Sequence, residues 1–98
     1  MLVHVVLMRL RPGISGSALG ELAQRVADLA ESVAGPDSYV VGPNVTEEPL
    51  SQEFEFGFLL RFPGHAELDA YHANPAHLAI SLGIRDVSRT VLVFDFAA

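Results

Sequence analysis

The chain contains no cysteine and no lysine. Without cysteine it has no disulfide, no thiolate nucleophile and no thiolate metal ligand, and a cytoplasmic home is the expected setting. Without lysine its basic side chains are six arginines, set against twelve carboxylates, for a formal charge of −6. A balance of that sign repels phosphate backbones and anionic lipid, so neither nucleic acid nor a membrane surface is an expected partner. Charge of either sign is sparse: 18% of residues are charged while half are hydrophobic. That is more apolar than a solvated monomer usually is, and it hints at a surface hidden by something else. A long apolar run is also missing. The opening MLVHVVLMRLRP offers only about ten apolar positions where a bilayer span takes about 20. It has neither a basic lead nor a small-residue cleavage site, so it reads as a strand. No glycine-rich loop follows a strand with phosphate-binding spacing and no serine sits in a nucleophile elbow, which leaves nucleotide chemistry and covalent hydrolysis without support.

What is present is one domain's worth of regular pattern over residues 1–98. Residues 2–11 are β-branched and aliphatic and stop at Pro12-Gly13. Leu19, Leu22, Ala23, Val26, Leu29, Ala30 and Val33 then recur at steps of three and four, predicting an amphipathic helix capped by Ser15 or Ser17 and stopped by Gly35-Pro36. SYVVGPNVT, residues 38–46, predicts a second strand with a Gly-Pro interruption suited to a sheet edge. FEFGFLLRF, residues 54–62, alternates cleanly, with the aromatic set and Leu60 on one side. A short helix over 65–73 follows, Asn74 and Pro75 restart helix as cap and first-turn proline, and Gly83 is a plausible stop. TVLVFDF, residues 90–96, closes the chain as a strand.

The order βαββαβ predicts an α+β fold of ferredoxin-like type, a four-stranded antiparallel sheet with helices on one face. Both alternating sets of the first strand are apolar, Val3, Val5 and Leu7 against Val6, Met8 and Leu10, and the last strand repeats this with Val91 and Val93 against Leu92, Phe94 and Phe96. One helix layer covers one set. The other is expected to meet the sheet of a second copy, giving a homodimer.

AYHANPAHLA, residues 70–79, holds two of the four histidines. With Asn74 as cap, His77 falls in the first helical turn, where the positive end of the helix dipole disfavours an imidazolium. A neutral imidazole there accepts a proton or polarises a carbonyl. His4, on the first strand with Val6 and Met8, is expected to face the helices, and Tyr71 to lie near Leu68 in the core with its hydroxyl at the rim. His72 and His77 are separated by the proline and do not share a helix face, so no metal site is expected and His72 reads as a bystander. His65 reads as an exposed first-turn residue.

HVVLMRLRPG at 4–13, VGPNVT at 41–46, AYHANPAHLA and the closing VLVFDF together resemble the stress-responsive dimeric α/β-barrel family, over nearly the whole chain and in the right order. The resemblance implies a ferredoxin-like subunit that pairs its sheet with another subunit's to form a dimeric α/β barrel. In the family's plant polyketide-cyclase branch, a strand-one histidine, a tyrosine and the histidine closing the motif assist an aldol condensation, and those positions match His4, Tyr71 and His77. The chain departs from the pattern at Asn74, where the motif commonly begins with histidine, and near Val26, where the cyclase has a tyrosine.

The leading expectation is a homodimer that binds a small, partly hydrophobic carbonyl compound between sheet and helices, with Met8, Leu22, Val26, Phe56 and Phe94 as lining and His77, His4 and Tyr71 as the acid-base end. It needs no cofactor and no metal. A stress-associated binding dimer without chemistry and a cofactor-free monooxygenase like the related antibiotic-biosynthesis family remain the alternatives.

Overall fold

The computed structural model describes residues 1–98. Seven elements follow one another: β1 (Leu2–Leu10), α1 (Gly16–Ala34), β2 (Tyr39–Pro43), β3 (Phe56–Phe62), α2 (His65–Ala73), α3 (His77–Val87) and β4 (Ser88–Ala97). The strands form one sheet in the order β2-β3-β1-β4, with every neighbouring pair antiparallel. This is the ferredoxin-like βαββαβ arrangement, with the second helical region broken into two.

Strand parity divides the sheet into two chemically different faces. Leu2, His4, Val6 and Met8 stand opposite Phe62, Leu60, Phe58 and Phe56 across the β1–β3 ladder, and all eight are buried. They meet Leu22, Val26, Leu29 and Ala30 of α1, whose spacing of four, three and one residues puts them on a single stripe. Each fully buried Leu, Phe or Met in this layer contributes about 1.5–3 kcal/mol relative to exposure. Ser15 is the residue that starts α1: its Oγ accepts the Ala18 N–H at 3.1 Å. Gly35 ends it at φ 92°, its N–H donating to Glu31 O at 2.9 Å, a backbone shape that favours glycine.

The opposite face carries Val3, Val5, Leu7, Val40 and Leu59, and the β4 residues Leu92, Phe94 and Phe96. No helix covers it. Phe94 and Phe96 remain 57% and 46% exposed, with their rings 5.7 Å apart. Gly57 lies in this face beneath Leu7, and a Cβ there would sit 2.8 Å from both Leu7 Cδ2 and the Val6 carbonyl oxygen.

Two expectations need correction. Phe94 does not line the space between sheet and helices: it pairs with Val5, one residue out of step with the His4–Asp95 pair, and therefore points out of the other face. Gly83 does not stop a helix. α3 continues through it to Val87, and a Cβ at Gly83 would lie 3.2 Å from Leu22 Cδ1, so the glycine lets α3 approach α1 closely.

Candidate functional site

At the end of the sheet where β1 begins and β4 ends, four aromatic rings meet. β1 supplies His4, the last turn of α2 supplies Tyr71 and His72, and the first residue of α3 supplies His77. The step between the helices does the positioning. Asn74 closes α2, its N–H donating to Ala70 O at 3.1 Å, and its Oδ1 then accepts the Ala76 N–H at 2.9 Å. Its carbonyl accepts the His77 N–H, also at 2.9 Å. The expected restart at Asn74-Pro75 is displaced: residues 74–76 form a turn that the Asn74 side chain closes, and α3 begins at His77 with Ala76 in the capping position.

The ring of Tyr71 lies 5.0 Å from that of His77 and 6.5 Å from that of His4, centroid to centroid. Phe62 backs it at 5.6 Å. Tyr71 is 1% exposed, and its hydroxyl has no hydrogen-bond partner. Burial pushes this phenol well above its ordinary value, so it stays a neutral proton donor. The three residues expected to share a site are brought together, and Met8, Leu22, Val26 and Phe56 lie in the same apolar cluster as Tyr71.

His72 is not the bystander its spacing suggests. Its ring sits 5.6 Å from His4 and 4.9 Å from His77, edge to face with both. The break that prevents the two histidines from sharing a helix face lets them meet across the corner instead. The chain nevertheless has no group of three or more His, Asp or Glu side chains placed to hold a metal ion.

Asp95, which the sequence reading passes over, completes the corner. It stands opposite His4 in the β1–β4 ladder, and its Oδ1 lies 2.5 Å from His4 Nδ1. A carboxylate at that distance takes the Nδ1–H, which fixes the tautomer and leaves Nε2 as the lone-pair nitrogen. His4 is buried, while the Asp95 side chain is 37% exposed. The signal for Asp95 is in the sequence: it is the single charged residue of TVLVFDF, and it shares parity with Val91 and Val93.

His77 is held below the ordinary imidazole value, first by burial and then by the charges of His72 and His4. The direction agrees with the helix-dipole argument, but its main cause is different. His72 is also lowered, by burial first and His4 second, against the opposing pull of Asp95 and Asp69. Beyond the corner, His77 Nδ1 lies 3.3 Å from Ser81 Oγ, one turn along α3. A neutral imidazole, a neutral phenol without a partner and a carboxylate-oriented imidazole are the ingredients of proton transfer between two positions of one bound molecule.

An open space lies on the other face of the sheet. An open cleft of about 1000 Å³ runs along the outer sheet face beneath residues 44–54, with Val5, Leu7, Val40, Leu59 and Phe54 among its lining. No helix of the chain is long and apolar enough to cross a membrane.

Comparison of the sequence with curated proteins finds no match. Solved structures do match. A dimeric ferredoxin-like protein of unknown function from Jannaschia sp. CCS1 is 27% identical over 99% of this chain and 98% of its own, with a TM-score of 0.88. A protein from Arabidopsis thaliana is 26% identical over 100% of this chain and 95% of its own, with a TM-score of 0.84. Hydroxynitrile lyase from Passiflora edulis shares the fold at 15% identity and a TM-score of 0.81, covering 97% of this chain and 90% of the lyase. The sequence profile of the stress responsive A/B barrel domain matches residues 2–98, the whole length of the sheet and helices just described. The chain belongs to the stress responsive A/B barrel domain family.

Proposed function

We propose that the protein is a homodimer whose subunits each bind a small, partly hydrophobic carbonyl compound at the corner of β1, β4, α2 and α3 and move a proton on it, in the manner of an aldol cyclase or an isomerase. The observation that carries this reading is the buried, unpartnered hydroxyl of Tyr71 among His4, His72 and His77. A buried polar group without a partner costs about 1–3 kcal/mol, and a ligand oxygen at that point would supply the missing bond. In this reading Tyr71 polarises the carbonyl, His77 takes the proton from the adjacent carbon, and His4, oriented by Asp95, holds or returns it. Phe62, whose ring backs Tyr71, supplies the apolar wall there, whereas Met8 and Phe56 face each other four residues along β1 from His4 and belong, with Leu22 and Val26, to the closed core. Phe94 belongs instead to the outer face, with Leu92 and Phe96, against the second copy. The exposed apolar side chains there support the pairing, as does the dimeric state named for the Jannaschia protein.

Two experiments test the two halves. Light scattering after size-exclusion chromatography at micromolar concentration should give twice the 10.5 kDa chain mass, and a 10.5 kDa species would refute the dimer. For the site, a panel of aromatic ketones and β-diketones is titrated while the histidine ring protons are followed by NMR. Binding should move His4, His72 and His77 together and weaken in His4→Ala and His77→Ala. A ligand that binds both variants as tightly as the parent refutes the shared site.

A further inference from the structure

His72 has no part in the chemistry just described, yet its ring, like that of Tyr71, stands edge to face with both histidines that do. The charged and titratable groups facing it come from every side of the corner. His4 approaches from β1 and His77 from α3; Asp95 approaches from β4, already bonded to His4; Asp69 precedes it by three residues on α2, and the neutral phenol of Tyr71 stands beside His72 with its ring 5.6 Å away. The chain's one histidine ion pair is His4–Asp95, so neither His72 nor His77 has a carboxylate of its own within ion-pair reach.

The two imidazoles are not equivalent. His72 is exposed and has Asp69 and Asp95 acting on it in favour of a proton. His77 is half-buried, no carboxylate draws a proton to it, and the charges acting on it are those of His72 and His4. A proton reaching the corner from solvent therefore settles on His72 before His77. Once there, it places a positive charge across a ring separation of 4.9 Å, well within the range over which unit charges interact appreciably.

We propose that His72 is a positioning residue that acts through His77: it takes a proton before His77 does and, by the charge it then carries, keeps His77 neutral on acidification. The pair admits one proton more readily than the second, as coupled sites do. Consequently, His77 stays available as a base to a lower pH than an isolated histidine at that place. The inference rests on the reading of His77 as the proton-transfer group, but its test needs no substrate.

The histidine ring protons of the full chain are titrated by NMR in the parent protein and in His72→Gln, His72→Phe and His72→Arg. Even in the dielectric of water, a unit charge at this separation moves a neighbour by about half a pKa unit. The midpoint of His77 should rise by at least about that much in His72→Gln. It should rise likewise in His72→Phe, where ring bulk is retained and charge is lost. In His72→Arg, where the charge is permanent, it should fall. Unmoved midpoints, or shifts of one sign in all three variants, overturn the proposal, because a packing role does not reverse with charge. If His72 governs His77 in this way while His77→Ala binds ligands normally, the proposed function fails and this inference stands.

Discussion

Replacing Tyr71 with phenylalanine should make the free protein more stable and the site weaker. The phenol oxygen is buried without a hydrogen-bond partner, in a side chain that is otherwise well packed against Phe62. Its burial costs about 1–3 kcal/mol of desolvation that nothing returns. Phenylalanine removes that cost and leaves a void of about one oxygen atom, whose penalty is a few tenths of a kcal/mol at ~24 cal/mol per Å³. The net gain is about 1 kcal/mol, or roughly 4–8 °C in Tm for a domain of this size. Urea unfolding at fixed protomer concentration reads it as a higher midpoint with an unchanged slope. A pH series adds a second reading. Burial raises the Tyr71 phenol above its unfolded value of about 10, so the unfolded chain gives up this proton first and stability, unaffected by it below that pH, falls as pH rises beyond it. The variant should lack that alkaline loss. Ligand affinity should move the other way, falling as the buried donor without a partner in the corner disappears. A Tyr71→Phe protein destabilised by 1 kcal/mol or more would refute the reasoning, since the hydroxyl would then have a partner in solution.

Three further outcomes are expected. Acid should weaken the fold through His72 and His77: both are depressed in the folded state, so the unfolded chain binds more protons, and stability complete above about pH 6.5 declines as pH falls through that value. Urea midpoints between pH 7 and 5 should slope less in a His72→Gln/His77→Gln double variant, and an equal slope would count against the assignment. Asp95→Ala should cost about 1–3 kcal/mol by leaving His4 Nδ1–H without its acceptor. It should also replace one His4 tautomer by a mixture, visible in the ¹⁵N ring shifts, whereas a single tautomer in the variant would show that Asp95 does not set it. Gly57→Ala should cost about 1–3 kcal/mol, because the added Cβ meets the fixed Val6 carbonyl as well as the Leu7 side chain. An unchanged midpoint would place the β1–β3 contact wider than described.

The order of elements and the helix-facing layer were legible because both rest on periodicity. Alternation in residues 56–62 and the three-and-four spacing of α1 each assign a face without reference to the rest of the chain. That His4, Tyr71 and His77 come together was legible from the family resemblance, which pairs residues far apart in the chain. The site was illegible where the outcome depends on how two elements meet. His72 looks isolated along the sequence because Pro75 breaks the helix, yet the break turns α3 so that the two rings come together. Phe94 shows the opposite failure. Its parity was readable, since Asp95 beside it must face the other way, but a hydrophobic side chain offers no hint of face when both faces are apolar. Gly83 was misread for a related reason: a glycine within a helical pattern signals a stop or a close approach, and only the position of Leu22 decides between them.

That same lack of contrast between the faces ties the site to the assembly. β4 is an edge strand, and nearly all of its residues are exposed in a single chain. One side of it delivers Asp95 to His4, and the residues on either side, Phe94 and Phe96, project from the outer face. Whatever covers those two aromatic side chains also fixes the backbone between them, and with it the position of the carboxylate. In the proposed dimer the outer-face contact therefore does more than bury apolar surface. It holds β4 against β1 at the pair where a short hydrogen bond orients the His4 ring, so the corner proposed for proton transfer on one side of the sheet depends on packing on the other.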